Sequence, residues 1–530
     1  MLDHLAMLQH NSLLATLRAA TAQRPDAEFV RIGGRSFDRR ATLDLVETTA
    51  RGLRELGVSP GDRVGLMCGN LPEALWIWLG ANAARAIDVP FNAGARGRLL
   101  AYFVADAEPR VLVGTEEYLG ILANTIDTDP EVVVCVGEHS AKPFGDRARQ
   151  MTFDELLALG TASSETLEDP APGDTATIMY TSGTTGPSKG VMLPQRYYVA
   201  KAAHAELVLG VRSEDILYCV QPLFHIDARS YVAAAAYHRC RLALGTRFSA
   251  TRFWDEVREH GATIFGTIGT MLWMLYKQPP KPNDKDLPAR VAMCSSSPKE
   301  ILRDFEARFG VQISEAYGMT ECVIITGAPP GETVPGRVGR PIPGLAVRVV
   351  DDHDVPVERG EIGELIYRSD DPSAMMQGYW RKPAETVEAW RNLWFHTGDL
   401  FREHPDGMLE FIGRKKDSIR RRGENVSAWE VEEAVAAHPS VLEVAALGVP
   451  SDVGEEDVAI LVVLKPGESI DAPELVEFVA ADLPRFAVPR YVEVVESLPK
   501  TPSERIEKAK VRERGITDAA WDSNAALGRR

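Results

Sequence analysis

The chain has 530 residues, 45% of them apolar, with 59 basic against 76 acidic side chains and a formal net charge of -17. That length buries a large core and exceeds one simple domain, and the balance excludes a disordered, collagen-like or coiled-coil chain. The acidity argues against a nonspecific grip on nucleic acid or anionic lipid, yet leaves room for a local basic pocket around a small polyanion.

Residues 41–57 place apolar side chains at helical spacing, and Gly61-Asp62 reads as a turn. Arg63 to Met67 predicts a short buried strand, followed by a helix rich in Leu, Trp and Ala. Val111-Leu112-Val113 and Val132-Val133-Val134 are further β-branched runs, so the rhythm predicts βα units around a largely parallel sheet. Residues 160–174, with Pro170 and Pro172, read as a surface connector. From about 340 to 370, Ala346–Val350 and Glu364–Tyr367 predict a small antiparallel barrel or sheet. A charged segment, Gly413–Asp417, marks a boundary, and the remainder predicts an α+β domain whose end, from about Ala519, is loosely held. The expected fold is therefore α/β: a large N-terminal domain of stacked α/β layers plus a small β-barrel, residues 1–415, and a smaller mobile α+β domain, residues 416–530.

Cysteines at 68, 135, 219, 240, 294 and 322 show no metal-ligand or redox spacing. Met1-Leu2-Asp3-His4 lacks the start of a secretory signal. The most apolar stretch, Ala74 to Ala86, is cut by Arg85 and bounded by Glu73 and Asp88. The expectation is a cytoplasmic monomer or homodimer with neither membrane nor nucleic-acid partner.

The strongest local signal is Tyr180-Thr181-Ser182-Gly183-Thr184-Thr185-Gly186-Pro187-Ser188-Lys189-Gly190, which follows the strand-like Thr175–Met179. Its glycines free the backbone to curl, its hydroxyls and amides can donate to phosphate, and Lys189 adds a point charge. The spacing is not that of the Walker loop. A flexible linker is the plain alternative, but linkers do not pack hydroxyls, a lysine and flanking strands together.

Further motifs follow in order: Gln221-Pro222-Leu223-Phe224-His225-Ile226, Glu315-Ala316-Tyr317-Gly318-Met319-Thr320-Glu321, Gly336-Arg337-Val338-Gly339-Arg340-Pro341, Gly378-Tyr379-Trp380, His396-Thr397-Gly398-Asp399-Leu400, Gly413-Arg414-Lys415-Lys416-Asp417 and Leu498-Pro499-Lys500-Thr501-Pro502. With the phosphate loop, they resemble over nearly the whole chain the adenylate-forming superfamily: acyl-CoA synthetases, carrier-loading adenylation domains and luciferases. The resemblance implies an acyl-CoA ligase of the AMP-forming type, using Mg²⁺, ATP or an acyl-AMP, and coenzyme A.

By that resemblance the nucleotide is held by Thr181, Ser182, Gly183, Thr184, Thr185, Tyr317, Gly318, Thr320, Asp399 and Arg414. Tyr317 offers a face for adenine, Asp399 an acceptor for ribose hydroxyls, and Glu321 a hard oxygen for Mg²⁺. Lys189, His225, Glu321 and Arg505 fall at the catalytic positions, and His225 at that of a gate through which the thiol reaches the acyl-adenylate. Taken singly, these residues more often serve as a core tyrosine or histidine, a surface glutamate or a turn aspartate. The acyl pocket falls on His225, Ala233, Gly269, Ser295 and Ser296, where small side chains suit a bulky acid, or equally close helix packing. Gly423 and Glu424 fall where the family binds CoA, Arg420, Arg421 and Arg422 are candidates for its phosphates, and Lys416 or Asp417 falls at the hinge.

The sequence departs from the family near its end. Where the family carries Gly-Lys, this chain has Glu504-Arg505. The family's lysine bridges substrate carboxylate and α-phosphate. Arginine keeps the charge but not the compact ammonium, and Glu504 adds a competing carboxylate. The expectation is thioester formation from an acyl-adenylate with adenylation weak or lost, the adenylate coming from a separate ligase. The alternatives are a complete ATP-dependent synthetase, with Arg505, Lys500 or Lys508 serving, and a non-catalytic nucleotide-binding scaffold.

Overall fold

The computed structural model describes residues 10–137, 142–181, 188–415, 418–452, 454–499, 506 and 508–526. The chain divides into two units. The larger comprises Met1–Ala93, Phe103–Tyr180 and Gly190–Gly413, and the smaller Gly94–Tyr102, Thr181–Lys189 and Arg414–Arg530.

In the larger unit, the β-branched runs become neighbouring parallel strands. Arg63–Met67 lies between Ile87–Pro90 and Val111–Thr115, and Val132–Val136 and Arg149–Thr152 extend that edge. On the other side stand Thr175–Thr181, Lys189–Pro194 and the two-residue strand Gly378–Tyr379, completing eight strands. A second sheet of nine strands is parallel in its middle and closed by antiparallel strands at both edges. The segment after residue 340 forms a four-stranded sheet, Leu345–Val350, Ile362–Ser369, Phe395–Glu403 and Leu409–Arg414, whose first three strands pair antiparallel.

Helix Arg39–Glu55 starts where Asp38 accepts a hydrogen bond from the Ala41 amide at 2.7 Å. Three other helices, Pro72–Ala83, Gln195–Leu209 and Ile226–His238, lie deep in the main core. Composition explains this for Pro72–Ala83, where Ala, Gly, Leu, Ile and Trp cover nearly every face; the other two are rich in Ala and aromatic residues but also bury polar side chains such as Lys201, His204 and Arg229.

One charge pair is fully enclosed there. Arg229, on the third of these helices, meets Asp88 on strand Ile87–Pro90, both with no exposed surface. The Arg229 guanidinium also lies 4.5 Å from the Trp78 ring and donates to the Leu223 carbonyl at 2.6 Å. Asp88, read from the sequence only as the end of an apolar stretch, thus anchors the segment that carries His225.

In the smaller unit, strands Val441–Pro450, Glu456–Leu464, Tyr491–Val494 and Trp521–Asp522 form a sheet against helices Ala428–Ala436 and Ala472–Ala480. The chain end is not loosely held as far as Asp522. Trp521 pairs with Val492, and Arg490 grips both Asp522 oxygens at 3.0 Å. All six cysteines are buried and none forms a disulfide, and among the described residues no helix is long and apolar enough to cross a membrane.

Candidate active site

Strand Thr175–Thr181 delivers Tyr180 and Thr181 to the start of the glycine-rich loop, and Lys189 opens the next strand. Ser182, Gly183, Thr184 and Thr185 lie outside the described residues. Within the larger unit, the residues Tyr180 and Gly190 that flank the loop are fixed. Tyr180 stacks on Phe103 with centroids 4.6 Å apart and donates to Asp106 at 2.6 Å. Trp380 donates from its ring to the Asp106 carbonyl at 2.9 Å and from its backbone to Gly190 at 2.7 Å. Within the smaller unit, the half-buried Glu430 accepts from the Ser188 amide at 3.2 Å and from its hydroxyl. Burial pushes the Glu430 carboxyl up to about 7. Asp106 and Glu430 escaped the sequence analysis because neither lies in the motif it supports.

The tyrosine and aspartate motifs, far apart in sequence, are brought together. Tyr317, on strand Gln312–Gly318, donates its hydroxyl to Asp399 at 2.6 Å and meets Phe401 edge-on at 4.8 Å. Burial and the Asp399 carboxylate together hold the Tyr317 phenol above its ordinary range. The backbone around Asp399 is fixed in turn. Gly398 takes φ +71°, and its amide donates to Glu364 at 3.1 Å. Glu364 also accepts Arg391 at 3.0 Å and lies 3.4 Å from His396. After Tyr317 the chain must turn tightly, since a Cβ on Gly318 would come within 2.9 Å of the Val323 carbonyl. Thr320 is half-buried in that turn.

Glu321 is buried and accepts the Tyr379 hydroxyl at 3.1 Å. Among the described residues no group of three or more His, Cys, Asp or Glu could hold a metal ion. A single carboxylate still fits Mg²⁺, which commonly keeps several waters and binds through one or two carboxylates plus substrate phosphates.

Glu315 carries the motif's other carboxylate. It is buried and accepts from the Ser297 amide at 3.0 Å as well as from the Ser297 hydroxyl. Burial pushes it up to about 7 from an ordinary 4.5. The folded state therefore binds this proton more tightly than the unfolded chain, so stability is lost as pH rises from about 4.5 to 7. Relative to Glu315→Gln, the native protein is expected to lose on the order of 3 kcal/mol across that window in denaturant titrations. Parallel curves would contradict this.

His225 caps helix Ile226–His238, its Nδ1 accepting from the Asp227 amide at 3.5 Å, and its side chain is 34% exposed. The buried Asn70 clamps the segment before it, accepting from Leu223 at 2.8 Å and donating to the Gln221 carbonyl at 2.9 Å. Gly269 and Ser296 touch, for a Cβ on Gly269 would come within 2.2 Å of the Ser296 carbonyl. Ser295 pairs with Ile268, and Ser296 has φ +59°. Ala233, by contrast, is wholly buried in the main core, where its small side chain serves close packing.

Arg414 ends its strand, but its side chain, Lys416, Asp417 and Arg505 lie outside the described residues. Gly423 belongs to a hairpin turn in which Arg422 and Gly423 have φ +53° and +81°, and Glu424 begins the returning strand. Both central residues having positive φ is the requirement of a tight two-residue hairpin. Arg421 is not an available phosphate ligand. It is buried against Asp457 at 2.9 Å and donates to the Phe486 and Val488 carbonyls. Arg422 is exposed, and Lys508 is engaged by Glu432.

Residues 17–380 match the AMP-binding enzyme family and residues 430–505 the AMP-binding enzyme C-terminal domain. Crotonobetaine/carnitine–CoA ligase of Salmonella heidelberg is 30% identical over 485 residues, covering 89% of this chain and 92% of that protein. Amide bond synthetase from Marinactinospora thermotolerans superposes with TM-score 0.82 at 25% identity, covering 95% of this chain and 99% of the other. An o-succinylbenzoate CoA synthetase from Bacillus subtilis shares the fold with TM-score 0.80 at 22% identity, covering 94% and 98%.

Proposed function

The chain belongs to the AMP-binding enzyme family, and on that premise we propose that it is an acyl-CoA ligase that forms a thioester from an acyl-adenylate and CoA, with a slow adenylation step. The observation that carries the reading is the Tyr317–Asp399 hydrogen bond at 2.6 Å, which joins a flat aromatic face to a carboxylate able to accept from ribose hydroxyls. In the full reaction a substrate carboxylate oxygen attacks the α-phosphorus of ATP and pyrophosphate leaves. The CoA sulfur then attacks the acyl carbon, and the bond to the AMP oxygen breaks. Tyr317 and Asp399 hold the adenosine, Thr181 and Lys189 meet phosphate oxygens, and Glu321 is the carboxylate that would hold Mg²⁺. When bound, Mg²⁺ neutralises phosphate charge. No side chain serves as a covalent nucleophile; the protein contributes positioning and charge. His225, half-buried at the cap of its helix, gates the thiol, and Gly423-Glu424 lines its approach. The smaller domain, pivoting at Lys416 or Asp417, alternates between the two steps.

Slow adenylation rests on Glu504-Arg505, which supplies a bulkier cation and a competing anion where the family has Gly-Lys. A second reading, a complete ATP-dependent synthetase, is favoured by the charge that Arg505 retains. Synthetic acyl-adenylate plus CoA, without ATP, tests the reading: rapid thioester formation supports it, and no product from any adenylate contradicts it. Tyr317→Phe removes the donor to Asp399 and is expected to weaken AMP binding about 10-fold by calorimetry; unchanged affinity would detach Tyr317 from the nucleotide.

A further inference from the structure

Beside His225 the larger unit holds a polar cluster that the two-step chemistry does not use. Asp227 lies in the first turn of helix Ile226–His238, with its side chain 24% exposed. Its Oδ2 accepts Gln221 Nε2 at 3.3 Å and lies 3.6 Å from His225 Nδ1. Its Oδ1 lies 4.0 Å from the ammonium of Lys201, a residue 5% exposed on helix Gln195–Leu209. Desolvation holds Lys201 below its ordinary range, and Asp227 opposes that shift. One turn further along, on the same helix face, stands Tyr231, which is 6% exposed. Its hydroxyl has no hydrogen-bond partner among the described residues. It rests on Gly266, where a Cβ would come within 2.7 Å of the hydroxyl oxygen.

These are costly features to keep in a wall meant for hydrocarbon. An apolar acyl chain lying over Asp227 would strip water from a carboxylate that has one long hydrogen bond and one loose ion pair. A buried hydroxyl without a partner is penalised in the same way. Both defects are corrected by one kind of ligand, a molecule that donates an O–H or N–H to Asp227 and pairs with the Tyr231 hydroxyl about one helical turn away.

We propose that Asp227 and Tyr231 select the acid: the enzyme takes carboxylic acids whose acyl body carries a hydroxyl or amino group, held by Asp227 with Lys201 balancing its charge and by the Tyr231 hydroxyl. This rests on the ligase reading above and specifies its substrate class. Selection arises because the polar group is rewarded while its apolar isostere leaves a buried carboxylate and hydroxyl unmet.

The test uses pairs of synthetic acyl-adenylates matched in size, a hydroxy- or amino-substituted acyl group against its methyl isostere, with CoA and the full-length protein, so that slow adenylation does not enter. The expected result is a kcat/KM preference of about 10- to 100-fold for the polar member. Separate hydroxy and amino series show which donor is preferred. Tyr231→Phe, which keeps the ring on Gly266, is expected to reduce the preference, and Asp227→Leu to abolish or invert it. Equal or faster turnover of the methyl member by native protein, or a ratio unmoved in both variants, overturns the inference and leaves the ligase reading standing. No thioester from any adenylate overturns both.

Discussion

Arg505→Lys is expected to raise the rate of ATP–pyrophosphate exchange with a suitable acid about 10²- to 10³-fold while leaving thioester formation from acyl-adenylate and CoA within a few-fold of the native rate. The asymmetry is the informative part. During adenylation, negative charge on the incoming carboxylate and on the α-phosphate must be held together, and a compact ammonium can sit between them. A guanidinium is broad and planar, with its charge spread over three nitrogens. In this chain Glu504 precedes Arg505 in sequence, and on the proposed reading its carboxylate would compete with the substrate for that charge. Thioester formation breaks the bond from acyl carbon to phosphate oxygen and calls on no cation at that point. Adding Glu504→Gly is expected to increase the gain further by removing the competitor. If native protein already exchanges pyrophosphate at the rate of the Lys variant, the second reading is correct and Arg505 performs the lysine's task.

Arg229→Ala is expected to destabilise the protein by about 3–5 kcal/mol, read as a fall in denaturation midpoint. Removing the guanidinium leaves Asp88 with no exposed surface and no counter-charge. Burial already pushes the Asp88 carboxyl upward against the pull of Arg229, so the widowed group would take up a proton or admit water. The same substitution deletes the stacking on Trp78 and the donor to the Leu223 carbonyl, which loosens the segment carrying His225. The double variant Asp88→Leu with Arg229→Met removes both charges together and is expected to recover much of the loss. A single variant as stable as the native protein would show that the pair is not an anchor.

The parts of this molecule that could be read from sequence are those whose signal is local. Arg63–Met67 is a strand because its apolar run stands between a turn and a helix, and the observed bounds coincide with the expected ones. Thr175–Thr181 and Lys189–Pro194 flank the glycine-rich loop because chain order alone puts them there. The unread parts depend on partners distant in sequence. Nothing near Asp106 announces Tyr180 and Trp380, and nothing near Asn70 announces Leu223. Arg421 lies in a basic run that suggested phosphate, but Asp457 and two carbonyls occupy it. The end of the chain reads as loosely held in the sequence because its anchor, Arg490, lies about thirty residues earlier.

On the proposed reading, the Tyr317–Asp399 contact marks the place of the adenosine. A crystal structure of the protein with a non-hydrolysable acyl-adenylate analogue tests this most directly. The adenine is expected on the face of Tyr317, with both ribose hydroxyls within hydrogen-bonding distance of Asp399. An analogue bound elsewhere, or with its ribose pointing away from Asp399, would contradict the account.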